Sequence, residues 1–310
     1  MTTALITHPA CLEHDTGPYH PETSERLRAV LAGLEAPEFA PLLRESAPMA
    51  TVEQLSRVHP REYVEAILSI RPEEGEPVQL DGDTVMSHGS AEAAARAAGG
   101  ACLAVDAVQE GWARAAFAAV RPPGHHAEPN RPMGFCLFNN VAVAALYARA
   151  RWGIQRVAVV DFDVHHGNGT QAMFVDDPDL FYASSHQSPC YPGTGESWEH
   201  GVADNIVNAP LRPRDGSAAF RAAWSNIILP ALDRFAPGLL IISAGFDAHI
   251  ADPLAQLRLE TTDFAWITDE LVAVADRHSG GRVVSVLEGG YDLDALAASA
   301  AVHVRGLMRG

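Results

Sequence analysis

Short apolar runs alternate with longer alanine-rich segments along the whole chain. Runs such as VAVVD (157–161) and GLLIIS (238–243) are apolar throughout, as expected for strands covered on both faces. Strands that alternate with helices of this length indicate crossover units and a mostly parallel sheet, hence an α/β fold. The predicted strands are Thr3–Thr7, Ala115–Val120, Arg156–Asp161, Leu180–Ser184, Gly238–Ser243 and Arg282–Leu287. The predicted helices are Ser24–Glu35, Pro60–Ser69, Ser90–Glu110, Asn140–Arg151, Ala218–Phe235, Thr262–His278 and Asp294–Arg305.

No internal repeat, low-complexity tract or long linker divides the 310 residues, so residues 1–310 are expected to form one domain. Glu73–Pro77 and Leu211–Gly216 are expected to be surface loops. The chain has 22 Lys+Arg against 39 Asp+Glu, a formal net charge of −17. This balance argues against binding to nucleic acid or an anionic membrane, and leaves cationic partners open.

The sequence also predicts a cytoplasmic protein. No run approaches the roughly 18–20 apolar residues of a membrane span, and the N-terminus lacks the basic region of a signal peptide. Cys11, Cys102, Cys136 and Cys190 are scattered without a CxxC pair. Such spacing fits unpaired thiols in a reducing compartment better than a disulfide framework or a cysteine-ligated zinc site.

Ionisable side chains follow five of the predicted strands. In parallel α/β sheets, ligands bind outside the carboxyl ends of the strands, where several loops converge. The folding of the sheet alone does not require ionisable side chains after five strands, so we expect a functional site at this edge. The segments that follow the strands are RPPGHH (121–126), DFDVHHGNG (161–169), SSH (184–186), SAGFD (243–247) and EGGY (288–291).

Asp163 and His165, followed much later by Asp247, form a candidate metal site. Residues two apart in an extended segment project to the same side, so Asp163 and His165 can face one ion together. Three N/O ligands with an open position are the pattern of a catalytic zinc, although Fe(II), Co(II) and Mn(II) accept the same ligands. Alone, a D-x-H sequence also fits a turn-capping Asp beside a surface His.

The tandem pair His125-His126 is a candidate for proton transfer. Beside a metal, one imidazole can take a proton from water while the other stays charged. Asp161 and Asn168 are the candidate partners that would orient these rings. Two adjacent histidines can equally lie at the surface by accident, and Asp161 can instead cap a strand or bind a second cation.

Tyr291, after Gly289 and Gly290, is a candidate donor to a substrate carbonyl. The alternative is a tyrosine packed in a turn. Phe135, after Gly134, and Tyr191 lie in Gly/Pro-rich loops and could wall a narrow channel for an aliphatic chain, although aromatic residues more often pack in cores.

Five sequence blocks in this order closely resemble the zinc-dependent histone deacetylase family, and RPPGHHA with Asn168 resembles its class II and bacterial deacetylase-like branch. An early match at His20-Pro21-Glu22 and Arg26-Leu27 extends the likeness from about residue 14 to about residue 300. The resemblance implies the single-domain, three-layer arginase/deacetylase fold, with a central eight-stranded, mostly parallel sheet flanked by helices. The blocks are RPPGHHAEPNRPMGFCLFNN (121–140), DFDVHHGNGTQ (161–171), PGTG (192–195), SAGFDAHIADPL (243–254) and LEGGY (287–291).

The resemblance also implies residue roles. Asp163, His165 and Asp247 would ligate one zinc ion, His126 would be the main general base and acid, and His125 would act electrostatically. Tyr291 would polarise the amide carbonyl, with Asp161 and Asn168 orienting the histidines.

The resemblance implies a substrate tunnel and a second ion as well. Phe135 and Tyr191 would wall an acyl-lysine tunnel, with Gly134 offering its backbone carbonyl to the substrate. A structural potassium ion would bind Asp161, Ser184 and the backbone oxygens of Asp163, His165 and Ser185.

Some positions depart from the family pattern. Tyr191 stands where members commonly have Phe, and Asn168 replaces the Asp of class I members. His88 stands where related sequences often have Pro, and Asp81 and Asp83 are candidates to contact the substrate backbone.

Three rival functions remain to be weighed. An arginase-like dinuclear hydrolase would need carboxylates near Gly167 and His249, and a non-catalytic acyl-lysine reader would lack some of the chemical groups that are present here. Polyamine-selective relatives carry a gatekeeper Glu where this chain has Leu254. The sequence therefore predicts a zinc-dependent deacetylase acting on acyl-lysine in proteins or peptides. Deacetylation of acetylpolyamines or other small acetylated amines is the alternative, and the oligomeric state stays open.

Overall fold

Eight parallel strands form one central sheet in the computed structural model, which describes residues 2–309. The strand order is β2-β1-β5-β10-β9-β6-β7-β8, and every neighbouring pair is parallel. This confirms the predicted α/β fold with an eight-stranded sheet. The strands are β1 (Thr3–Thr7), β2 (Leu43–Ser46), β5 (Ala115–Ala118), β6 (Val157–Asp161), β7 (Leu180–Gln187), β8 (Ile206–Leu211), β9 (Leu239–Ala244) and β10 (Val283–Leu287).

Helices cover both faces of the sheet, since its interior strands are buried along their whole length. Helix α4 packs on α5, while α10 packs between α1 and α9. The α-helices are α1 (Ser24–Gly33), α2 (Val52–Leu55), α3 (Arg61–Ser69), α4 (Ser90–Glu110), α5 (Asn140–Trp152), α6 (Asn168–Phe174), α7 (Ser217–Ala223), α8 (Leu229–Phe235), α9 (Thr261–His278) and α10 (Leu293–Arg309).

The two outer strands, β2 and β8, are absent from the strands predicted from sequence. All four residues of β2, LRES, are exposed. Because an edge strand can carry charged side chains, β2 lacks the continuous apolar run by which the interior strands were predicted. Strand β8 contains Asn208 and Pro210, and proline is tolerated at a sheet edge because one side of the strand makes no ladder hydrogen bonds. Leu211, expected in a loop, is the last residue of β8.

The predicted helix Ala218–Phe235 is divided by a π-helical turn at Trp224–Ile228. Pro230, at the start of α8, has no N–H to donate to the helical ladder, which favours a local change of helical register. The buried Trp224 lies in this turn and donates its indole N–H to the Ser185 hydroxyl at 2.9 Å.

A small antiparallel pair, β3 (Val78–Gln79) and β4 (Val85–Met86), lies outside the main sheet. The turn between these strands carries Asp81, Asp83 and Thr84. Within residues 2–309, no helix is both long and apolar enough to cross a membrane.

Candidate active site

The loops after β5, β10, β9, β6 and β7 meet at the carboxyl edge of the sheet, because these five strands are adjacent. A parallel sheet brings such loops together even though the chain visits its strands in a different order. The structure thereby gathers the residues predicted for zinc binding and proton transfer: His125, His126, Asp161, Asp163, His165, Asn168, Asp247 and Tyr291.

The three expected zinc ligands form one buried cluster. Nδ1 of His165 lies 3.1 Å from Asp163 Oδ1 and 3.1 Å from Asp247 Oδ2, and the ligand atoms of all three residues lie within 4.8 Å of one another. Backbone N–H groups hold the remaining carboxylate oxygens: Val164 donates to Asp247 Oδ1 and Gly289 donates to Asp163 Oδ2, each at 2.8 Å.

The charge of this cluster suits a cation. Burial and the adjacent Asp163 carboxylate raise the pKa of Asp247, because two negative charges are held close together away from water. A Cβ added at Gly245 would overlap Asp163, and one added at Gly289 would overlap both carboxylates, so glycine is required at both positions. Two carboxylates and one imidazole, buried and close together, fit a zinc ion with an open coordination position.

Gly167, one of the two positions where an arginase-like second metal would need a carboxylate, has no room for a side chain. A Cβ added at Gly167 would lie 2.6 Å from both Asp161 Oδ2 and the Tyr182 hydroxyl, so no carboxylate can be accommodated there. Over residues 2–309, Asp163, His165 and Asp247 are the one group of three or more His, Cys, Asp or Glu residues with metal-binding spacing.

The tandem histidines lie side by side in different electrostatic environments. Nδ1 of His125 lies 2.9 Å from Asp161 Oδ2, and Nδ1 of His126 lies 2.8 Å from Asn168 Oδ1. Burial lowers the pKa of His125, but the charges of Asp161 and Asp163 outweigh it and raise the value to about 10. Burial and the neighbouring His125 lower the pKa of His126 well below its ordinary value. These surroundings favour the charged form of His125 and the neutral form of His126.

Asp161, the partner of His125, makes further hydrogen bonds below the site. Its Oδ2 also accepts from the Tyr182 hydroxyl at 3.1 Å, and its Oδ1 accepts from the Asp163 N–H at 3.0 Å.

Ser184 is the register partner of Asp161 on β7, and the Ser184 hydroxyl lies 2.9 Å from His186 Nδ1. The Ser185 hydroxyl accepts from the Trp224 indole N–H, and the atom of Ser185 expected at the potassium site is its backbone oxygen.

A cavity of about 190 Å³ opens above the histidines. All four residues predicted to bind substrate line it, with Leu254 at its mouth, 38 % exposed. A larger surface groove of about 680 Å³, lined by Arg156 and Asp179, lies at the amino ends of β6 and β7, away from this chemistry. The residues that line the smaller cavity are Asp83, Pro123, His125, His126, Gly134, Phe135, His165, Tyr191, Leu254, Gly289 and Tyr291.

Two aromatic rings contact the catalytic candidates from different sides. The Tyr191 ring packs edge-on against His126, with centroids 5.1 Å apart. The Phe135 ring packs edge-on against Tyr291, with centroids 5.9 Å apart. Both rings line the same cavity.

The turn that presents Phe135 is left-handed, with φ of 55° at Gly134 and 69° at Phe135, and the second value is costly because phenylalanine has a Cβ. Two neighbours hold it: Asp83 Oδ1 accepts from the Gly134 N–H and the Thr84 hydroxyl accepts from the Phe135 N–H, each at 3.1 Å. The role of Thr84 was missed from sequence, because this buried hydroxyl acts on a backbone 51 positions away.

Arg26 positions the loop that carries Tyr291, a role also missed from sequence. The buried guanidinium donates to the backbone oxygens of Glu288 and Gly290, each at 2.5 Å, and lies 4.8 Å from the centre of the Tyr291 ring. The sequence signal was the early match around His20-Pro21-Glu22 and Arg26-Leu27, which carried no assigned role. Burial raises the pKa of Tyr291 well above its ordinary value, so the phenol keeps its proton and can donate.

The chain matches the model of the histone deacetylase domain over residues 20–307. It is 40 % identical over 316 residues to a histone deacetylase-like amidohydrolase of Pseudomonas aeruginosa, covering 93 % of this chain and 81 % of that protein. It is 39 % identical over 326 residues to the human polyamine deacetylase HDAC10, covering 99 % of this chain and 48 % of that longer protein.

A solved structure shares this architecture. The crystal structure of the HDA15 HD domain matches with a TM-score of 0.91 and 36 % sequence identity, over 99 % of this chain and 88 % of that one. The domain match, the relatives near 40 % identity and the shared fold show that this chain belongs to the histone deacetylase family of amidohydrolases.

Proposed function

We propose that this chain hydrolyses the side-chain amide of lysine carrying an acetyl or another short acyl group, with one zinc ion per chain. The cavity between Phe135 and Tyr191 is the observation that carries this proposal. Its two rings line the cavity together with His126 and Tyr291, and each ring packs edge-on against one of these two residues. An acyl-lysine side chain has a matching shape, since it is a thin aliphatic chain with its amide near the end.

Asp163, His165 and Asp247 would hold the zinc ion, which when bound supplies a Lewis acid for the water and for the amide carbonyl. We also propose a structural potassium ion at Asp161, Ser184 and the backbone oxygens of Asp163, His165 and Ser185. The buried carboxylate of Asp161, with Ser184 as its register partner on the neighbouring strand, supports that position.

The chain's own residues move the protons. Nε2 of neutral His126 accepts a proton from the attacking water, and charged His125, hydrogen-bonded to Asp161, stabilises the negative charge that develops. The Tyr291 hydroxyl donates to the carbonyl oxygen of the amide as that oxygen gains charge. His126 then gives its proton to the leaving nitrogen, the C–N bond breaks, and a carboxylic acid and a free amine result. We also propose that the Gly134 carbonyl, in the lining of the cavity, accepts a hydrogen bond from the substrate N–H.

Deacetylation of small acetylated amines is the second candidate. Asp83 brings a carboxylate to the cavity, where it could meet the distal ammonium of a polyamine. A relative at 39 % identity is named a polyamine deacetylase. Leu254 argues for the lysine substrate, because this apolar side chain at the mouth cannot attract an ammonium group.

A substrate panel separates the two. We expect kcat/KM to be higher for an acetyl-lysine peptide than for acetylputrescine or acetylspermidine, with longer acyl-lysines included in the panel to define the acyl limit. A preference for the acetylpolyamines would instead support the second candidate. Full activity in a preparation that elemental analysis shows to be free of transition metals would refute the zinc proposal.

A reducing, cytoplasm-like compartment remains our proposed location. All four cysteines are unpaired, and Cys11, Cys102 and Cys136 are buried, as expected for a protein that does not rely on disulfides.

A further inference from the structure

The Asn168 amide is shared between His126 and Glu128. Its Oδ1 lies 2.8 Å from His126 Nδ1, and its Nδ2 donates to Glu128 Oε1 at 2.9 Å. Nδ2 also lies 3.3 Å from the Met133 sulfur. Asn168 is buried, so these contacts are made largely away from water.

Glu128 and Met133 together fix which way this amide faces. A carboxylate and a thioether offer only acceptors, so the NH₂ group of Asn168 must face them. A flipped amide would set the Asn168 oxygen against the Glu128 oxygen at hydrogen-bond distance with no proton between them. With Oδ1 facing His126, the ring must carry its proton on Nδ1, and Nε2 is left with the free lone pair.

The backbone around Glu128 is itself anchored. The Glu128 N–H donates to the Arg131 carbonyl at 3.0 Å, closing a tight turn. His59 Nε2 accepts from the Asn139 N–H at 3.0 Å, so its other nitrogen, Nδ1, carries the proton and donates to the Pro129 carbonyl at 2.9 Å. Glu128 is half-buried and does not line the cavity, so it reaches the chemistry only through Asn168.

We infer that Glu128 is a positioning residue that holds the Asn168 amide in one orientation and thereby keeps His126 in the tautomer with a free Nε2. The inference rests on the proposed function, in which His126 Nε2 takes the proton from water. It also gives a reason for asparagine at position 168, because an aspartate there would face the Glu128 carboxylate across the same hydrogen-bond distance.

The test compares Glu128→Leu with Glu128→Gln in the zinc-loaded enzyme. Gln keeps an acceptor oxygen and Leu does not. We expect Glu128→Leu to lower kcat on an acetyl-lysine peptide about tenfold with KM nearly unchanged, the usual scale for residues that orient a reacting group. Glu128→Gln should restore most of the wild-type kcat, and circular dichroism melts should confirm that both variants fold.

Nitrogen-15 NMR of the histidine side chains gives a readout that does not depend on activity. The His126 signals, assigned by their loss in His126→Asn, should show a proton on Nδ1 in the wild type and in Glu128→Gln, and a mixture of tautomers in Glu128→Leu. An unchanged spectrum in Glu128→Leu would overturn the inference, as would an altered spectrum with an unchanged kcat. If no acylated amine is hydrolysed by the wild type, the proposed function fails while the spectra still decide the role of Glu128.

A double-mutant cycle tests the same contact from the other side. Asn168→Asp should lower kcat in the wild-type background because it opposes two carboxylates, and adding Glu128→Gln should recover much of that loss. Independent effects of the two substitutions on kcat would contradict the proposed coupling.

Discussion

The backbone N–H of Gly289 donates a 2.8 Å hydrogen bond to the Asp163 carboxylate, although the two residues are 126 positions apart in the chain. This bond joins the loop after β10, which carries Tyr291, to the cluster that would hold the metal. One contact therefore links the loop of Tyr291, which we propose polarises the substrate, to a carboxylate that would bind the ion.

We expect Gly289→Ala to weaken metal retention at least about tenfold, because the new methyl group would displace the carboxylates of Asp163 and Asp247. Zinc content after dialysis against a weak chelator, measured by elemental analysis, tests this. Gly82→Ala is the matched control, since a Cβ at Gly82 meets no atom within 4 Å. Equal zinc retention in the two variants would contradict the prediction.

Tyr291→Phe should lower kcat by about 10²–10³-fold, the cost of removing one donor to a developing oxyanion. The ring remains, so its packing on Phe135 and under Arg26 should keep the melting temperature close to that of the wild type. A fluorogenic acetyl-lysine peptide and a thermal melt are the two measurements. Wild-type turnover by this variant would mean that the phenol takes no part in the reaction.

Thr84→Val should raise KM for acyl-lysine substrates, because it removes the acceptor that holds the Phe135 N–H in its left-handed turn. The loss of one such hydrogen bond is about 1 kcal/mol, or roughly fivefold. Thr84→Ser keeps the hydroxyl and serves as the control. Identical KM values for Val and Ser would show that the turn holds without this contact.

Stability should fall as the pH drops below about 6.5, partly because of His303. Burial lowers its pKa to about 3, and the ring lies 2.6 Å from the Thr268 hydroxyl and 2.8 Å from the Ser285 hydroxyl. Between pH 6.5 and 4, this histidine is protonated in the unfolded chain but stays neutral in the folded chain. The free energy of unfolding should therefore lose about 1.4 kcal/mol per pH unit from this residue.

Urea unfolding at several pH values checks this contribution. The pH slope of His303→Gln between pH 6 and 4 should be shallower than that of the wild type by about the same amount. Parallel slopes would exclude His303 as a source of acid sensitivity.

Much of the site could be predicted from sequence, because chemically distinctive residues directly follow the strands of a parallel sheet. The outer strands could not be predicted from sequence. Strand β2 is fully exposed and β8 contains a proline, so neither shows the apolar run of an interior strand. Arg26, Thr84 and Glu128 were missed for another reason. Each acts through one contact between distant parts of the chain, such as the 264 positions that separate Arg26 from Gly290. Local sequence patterns do not encode contacts of that kind.

The parallel sheet also separates the edge that carries the candidate site from the opposite edge, which can be modified by protein engineering. The five loops that form the candidate site lie at the carboxyl edge of the sheet, and the helices after β5, β6, β9 and β10 return the chain towards the amino edge. The connection at Gly153 and Gln155, between α5 and β6, is exposed at that amino edge. A reporter domain or an immobilisation tag inserted there would extend away from the substrate cavity, leaving all five catalytic loops continuous.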